Sequence, residues 1–76
     1  MEDKVIEIFN KNAREKVRVM LTTYQRRDLI DIRSCVEGEG GRLIPTRKGL
    51  TMSIELITKL RTCLEKAEVE VKARTK

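Results

Sequence analysis

Val17-Arg18-Val19-Met20-Leu21-Thr22-Thr23-Tyr24-Gln25-Arg26-Arg27-Asp28-Leu29-Ile30-Asp31-Ile32-Arg33 reads as two strands and the turn between them. Val17, Val19 and Leu21 alternate with Arg18, Met20 and Thr22, the period of two that sends one row of side chains into a core and the other outward. That strand ends near Tyr24. Gln25, Arg26 and Arg27 are polar and lie between two strand-like runs, which makes them a tight hairpin connection with two guanidiniums at its tip. From Leu29 to Val36 the alternation resumes, with Ile30 and Ile32 directed to the core and the ionic pair Asp31 and Arg33 to the opposite side.

Upstream, Val5 to Phe9 is a β-branched and aromatic run too short for a good helix and bounded by the polar stretch Asn10 to Asn12, so it is a first strand. Downstream, Glu37 to Gly41 holds three glycines in five residues and forms a permissive reversal. Arg42 to Met52 returns as a fourth strand. Pro45 offers no N–H to a ladder and belongs at a sheet edge or bulge, and Gly49 marks a second irregularity, so this strand is expected to be bent or broken in the middle. Ser53 then serves as N-cap and Glu55 suits the positive end of a helix dipole, while Leu56, Ile57, Leu60, Leu64 and Ala67 recur at helical spacing. The helix is expected from Ile54 to about Val71, with Glu55, Lys59, Arg61, Glu65, Lys66 and Glu68 on its solvated face and a frayed tail from Lys72 to Lys76. The whole chain, 1–76, thus reads as one α+β domain: a four-stranded curved antiparallel sheet followed by one C-terminal helix that covers one sheet face. The other face is left wet or occupied.

A chain of 76 residues buries too small a share of its surface for comfortable stability without support. Two cysteines, Cys35 and Cys63, far apart and with no signal-like segment before them, point to an intracellular protein with ordinary half-buried thiols. The expected compartment is cytoplasm or nucleoid for a bacterial or viral protein and nucleus for a eukaryotic one. No apolar run approaches the roughly 18 residues a membrane span needs. Support is therefore expected from a homodimer, with Ile57, Leu60 and Leu64 at its interface because one sheet face cannot cover them all. Chemistry is poorly served: the chain has no histidine, no metal-ligand spacing and no Gly-rich phosphate loop opening the helix, so neither an enzyme nor a cofactor or metal site is expected.

The charge balance is informative. Seventeen Lys plus Arg against twelve Asp plus Glu leave +5, which favours polyanionic partners. The outward rows carry Arg18, Thr22, Tyr24, Asp31 and Arg33, with Arg26 and Arg27 at the turn and Arg47 and Lys48 in the fourth strand. Guanidiniums with an aromatic on an exposed sheet are how proteins hold unpaired bases, the cations tracking phosphates and the ring stacking on a base. The same pattern also describes a solvated basic sheet with Tyr24 at its rim. Pro45-Thr46-Arg47-Lys48-Gly49 reads as a phosphate-contacting loop, although basic turns of this kind also occur without a ligand.

Asp28-Leu29-Ile30-Asp31-Ile32-Arg33 and Pro45-Thr46-Arg47-Lys48-Gly49-Leu50-Thr51-Met52, at this spacing and between these elements, resemble the positive-cofactor-four family of transcriptional coactivators, whose single-stranded-DNA-binding fold also occurs in small bacterial and viral homologues. The resemblance covers about Ile8 to Leu64. It implies a homodimer whose helices pack together and whose sheets form two antiparallel channels for unpaired strands. It also places Tyr24 as a stacking aromatic, Arg27 as the hairpin cation, and Arg33 and Lys48 on matching basic positions. Val36 stands where eukaryotic members have a stacking tryptophan, Ile44 where they have a lysine, and Thr22 and Gln25 where they have cations; Arg18, Arg26 and Arg42 are the cations available to compensate. The long acidic and Ser-rich leader of eukaryotic coactivators is missing, so strand binding is expected ahead of coactivation. The partners implied are single-stranded DNA, with RNA as a further candidate, a second copy of the chain, and transcription or replication machinery, with no membrane. Two other readings stay open: a dimeric module docking acidic protein segments, and a β-ribbon repressor reading duplex DNA.

Overall fold

The computed structural model describes residues 1–75. Four strands, β1 (Lys4–Asn10), β2 (Glu15–Tyr24), β3 (Arg27–Glu37) and β4 (Leu43–Ser53), form one sheet in the order β1-β2-β3-β4, every neighbouring pair antiparallel. A short 3-10 turn, Glu39–Gly41, joins β3 to β4, and a second, Ile54–Leu56, leads into α1 (Ile57–Arg74). The β2–β3 connection is tighter than the sequence suggests. Only Gln25 and Arg26 lie outside the strands, at φ 49° and 64°, and the pair Tyr24↔Arg27 closes the turn. Positive φ at both central residues is the primed turn whose twist matches that of the flanking strands, here adopted without glycine.

Strand pairing is regular across β2 and β3 and fixes two faces. Val17, Val19 and Leu21 lie opposite Ser34, Ile32 and Ile30, and the row continues into Leu50 and Met52 of β4. On the reverse face Arg18 meets Arg33 and Gly49, Met20 meets Asp31 and Thr51, and Tyr24 meets Arg27. β4 is an edge strand that runs continuously and carries the expected irregularity as a bulge between Pro45 and Gly49. β3 advances from Arg33 to Cys35 while β4 advances from Gly49 to Pro45, so β4 carries two residues more, and Thr46 to Lys48 arch outward. Asp31, expected on a wet face, is buried at 6% exposure, and Cys35, expected half-buried, is fully enclosed.

The helix departs most from expectation. It covers no sheet face: α1 has no buried residue, Ile57 and Leu60 are half-buried, and every described residue from Arg61 on is exposed. Ser53 Oγ accepts from the Glu55 N–H at 3.3 Å, and the 3-10 turn that follows carries the chain off the sheet beside β3. The helix also continues to Arg74, past Val71, while Lys76 of the expected tail lies outside the described residues. One sheet layer and a projecting helix give a Cα radius of gyration of 14.6 Å, where a compact chain of this length has about 11 to 12 Å. Ile30 and Cys35 are the only buried hydrophobic residues among those described. No described helix is long and apolar enough to cross a membrane.

Candidate nucleic-acid interface

At the β2–β3 end, Tyr24 is 65% exposed, and Arg26 and Arg27 beside it are exposed as well. A shallow hollow of about 580 Å³ runs from these two arginines to Ser53 and Glu55. Thr22, on the same face, is turned to its own chain, its hydroxyl donating to an Asp3 carboxylate oxygen at 2.8 Å. The ion pairs of the sheet use Lys11, Lys16, Arg18, Arg33 and Lys48. Arg14, Arg26, Arg27, Arg42 and Arg47 are exposed and have no acidic partner among the described residues.

Further along this face the charges are spent internally. Asp31 accepts from Arg33 Nε at 3.1 and 3.2 Å and Nη2 at 2.8 Å, from the Thr51 hydroxyl at 2.6 Å, and from Arg18 Nη2 at 3.5 Å. Burial pushes the Asp31 carboxyl up, but the hydrogen bonds from Arg33 and Thr51, the Arg33 charge and Arg18 outweigh it and hold it below the ordinary carboxylate value. Arg33 is raised in turn, chiefly by its hydrogen bond to Asp31. Alternation along a strand makes Asp31 and Arg33 look solvent-facing; strands β2 and β4 close over them with groups far away in sequence.

The other basic cluster lies at the opposite end. Glu15 begins β2 and accepts the Ser34 hydroxyl at 2.5 Å and the Asn12 amide at 3.1 Å, with Lys11 and Lys48 ammoniums each 3.7 Å away. These groups, the Ser34 hydroxyl first and the Asn12 amide next, bring its carboxyl from 4.5 to about 2. Asn12 Oδ1 also accepts from the Arg14 and Glu15 backbone N–H groups at 2.9 and 2.8 Å, shaping the turn that presents Arg14. A cavity of about 500 Å³ is bounded by this turn, Val36, Thr46 and Lys48. Asn12, Arg14 and Glu15 were not among the residues expected here; an asparagine three before a glutamate in a short polar connection is the turn signal that points to them.

The expected site residues therefore do not form one surface. Arg18, Thr22, Tyr24, Arg27 and Arg33 share a face by register, whereas Lys48 reaches Glu15 on the face of Val17 and Ser34. The hairpin end and the bulge are separated by six to eight residues of β3, about 20 to 26 Å at the rise of an extended strand. Arg47 is exposed at the crest of the bulge, and Ile44, 48% exposed, pairs with the half-buried Val36. Of the expected interface positions on the helix, Ile57 and Leu60 are half-buried and Leu64 is 58% exposed.

Comparison with known proteins fits this architecture. A crystal structure of a PC4 homologue from Burkholderia pseudomallei superposes with a TM-score of 0.81 at 28% identity, covering 88% of this chain and 90% of that one. The tetragonal crystal form of the same protein gives 0.78, with 98% of that chain covered. A bacteriophage T5 homologue of the eukaryotic transcription coactivator PC4, implicated in recombination-dependent DNA replication, shares the fold at a TM-score of 0.63 and 18% identity, covering 96% of this chain and 82% of that one. No curated protein matches. The family described as Transcriptional Coactivator p15 (PC4) matches residues 11–63, from the β1–β2 turn into α1. The chain belongs to this family of DNA-binding transcriptional coactivators.

Proposed function

We propose that this protein binds single-stranded DNA as a homodimer, with little sequence preference, and holds unpaired strands during replication, repair or transcription. The observation that carries the reading is Tyr24: the only tyrosine, 65% exposed, flanked by two guanidiniums with no acidic partner among the described residues, on a chain of net charge +5. A solvent-facing ring between cations offers a base a stacking partner and its phosphates a counter-charge, and any base fits because every base has a π-face. Family membership supports the reading, and the phage homologue's link to replication is in keeping with replication machinery as a proposed partner beside transcription.

Surface area supports the dimer. The single chain exposes 6590 Å², about 1,800 Å² more than the roughly 4,800 Å² expected of a compact monomer of this mass. A standard interface buries about 800 Å² per partner, so the surplus suffices for an obligate dimer. Ile57, Leu60, Leu64, Ala67 and Val71 recur at alternating spacings of three and four, a stripe suited to a second helix.

A salt titration with oligothymidylate tests the function. If about four to six phosphates are neutralised per channel, log Kd against log salt changes with a slope of magnitude about 3 to 4. A slope near zero contradicts the proposal and favours docking of a protein segment.

A further inference from the structure

We propose that Arg33 and Thr46 are positioning residues that hold the Thr46–Lys48 bulge in the shape that presents Arg47 to phosphates, and that Arg33 is not itself a phosphate contact. The inference rests on the strand-binding reading above.

The guanidinium of Arg33 is almost fully committed. Nε donates to Asp31, Nη2 to Asp31 and to the Thr51 hydroxyl at 3.2 Å, and Nη1 to the Thr46 backbone carbonyl at 2.9 Å, which leaves a single N–H uncommitted. Its side chain is 21% exposed and its charge is matched by Asp31 at 2.8 Å. A phosphate approaching Arg33 meets a guanidinium whose donors and charge are already engaged.

What Arg33 does reach is the bulge. The two additional residues of β4 leave backbone groups of Thr46 to Lys48 out of the β3 ladder, and such groups need other partners. Arg33 takes the Thr46 carbonyl. The Thr46 hydroxyl donates to the Ser34 carbonyl at 2.8 Å and accepts the Lys48 N–H at 3.2 Å. Ser34 in turn donates to Glu15, beside which the Lys48 ammonium sits at 3.7 Å. Asp31 fixes the orientation of Arg33, Arg33 and Thr46 fix the arch, and Arg47 is left exposed at its crest. A lysine at position 33 keeps the charge but lacks the planar fork needed to hold Asp31 and the Thr46 carbonyl together.

The test compares wild type, Arg33→Lys and Thr46→Val for binding of one oligothymidylate across a salt series, with dimer mass and unfolding midpoint measured alongside. Neither substitution changes the charge. Positioning predicts that both bind about tenfold more weakly, the scale of one lost hydrogen bond. It also predicts a salt slope reduced by about 0.7 for each cation withdrawn, a change that mere loss of stability does not produce in the folded protein. Wild-type affinity and slope in Arg33→Lys would show Arg33 acting as a point charge on phosphate and overturn the inference, as would wild-type binding by Thr46→Val. Should Arg33→Lys not fold, Thr46→Val decides alone. If wild type does not bind, the strand-binding reading fails and this inference with it; if wild type binds and the variants match it, only the positioning role fails.

Discussion

Tyr24 and Arg27 are register partners across the Gln25-Arg26 turn, so the ring and the guanidinium emerge on one face of the same hairpin end. A base stacked on the ring, as proposed, would have its backbone beside Arg27, and Arg26 lies at the tip of the turn.

Tyr24→Ala is expected to cost about 1 to 3 kcal/mol of single-strand affinity with the salt slope unchanged, because it removes a stacking surface and no charge. The ring is 65% exposed, so folding is expected to be unaffected. Anisotropy titrations at several salt concentrations check this; wild-type affinity in a folded Tyr24→Ala protein refutes the stacking role.

Arg27→Ala and Arg47→Ala are expected to behave differently from Tyr24→Ala. Each withdraws an exposed cation with no acidic partner among the described residues and is expected to weaken binding while reducing the slope by about 0.7. Unchanged slopes in both would place the phosphates elsewhere.

Leu64→Glu separates dimer from monomer. Leu64 is 58% exposed on one chain, so a monomer tolerates the change, whereas a partner helix covering it makes the buried charge cost several kcal/mol. Sedimentation equilibrium is expected to give twice 8.8 kDa for wild type and a dissociated or unfolded variant. A wild-type mass of one chain at micromolar concentration contradicts the dimer.

Acid is expected to weaken the bulge end first. The Glu15 carboxyl titrates near 4.5 when unfolded and about 2 when folded, so the unfolded chain binds the proton more readily. The stabilisation is complete above about pH 4.5 and is lost as pH falls toward about 2; Asp31, also lowered, acts in the same direction. Unfolding midpoints across this range are expected to fall less steeply for Glu15→Gln than for wild type, and parallel curves would contradict the assignment.

Gly49→Ala probes the backbone beside the bulge. Gly49 has φ 153°, and a Cβ there would strike the Ile32 carbonyl oxygen and lie 2.8 Å from Arg33 Cα. A destabilisation of about 1 to 3 kcal/mol is expected in denaturant titrations. Neutral behaviour would mean that β4 can shift away from β3 without cost.

The strands and the helix were legible because period-two alternation and three-four spacing are local signals, as in Val17 to Leu21 and Ile57 to Ala67. Where the helix lies was not. Amphipathicity says that Ile57, Leu60 and Leu64 want cover and is silent on whether this sheet or another chain supplies it. The candidate site was legible at Tyr24, Arg26 and Arg27, where exposure follows from the turn. It was not legible at Arg33, whose engagement depends on Asp31, Thr46 and Thr51 converging from two strands. Lys48 falls on the face of Leu50, as period-two alternation requires, because two additional residues leave that alternation in phase.

Strand selectivity is measured by comparing binding of the intact protein to an oligothymidylate and to duplex DNA of equal length at one salt concentration. Tight binding of the single strand by a dimer is expected, with much weaker binding of the duplex, whose paired bases cannot reach Tyr24. Equal or tighter binding of the duplex would contradict that selectivity.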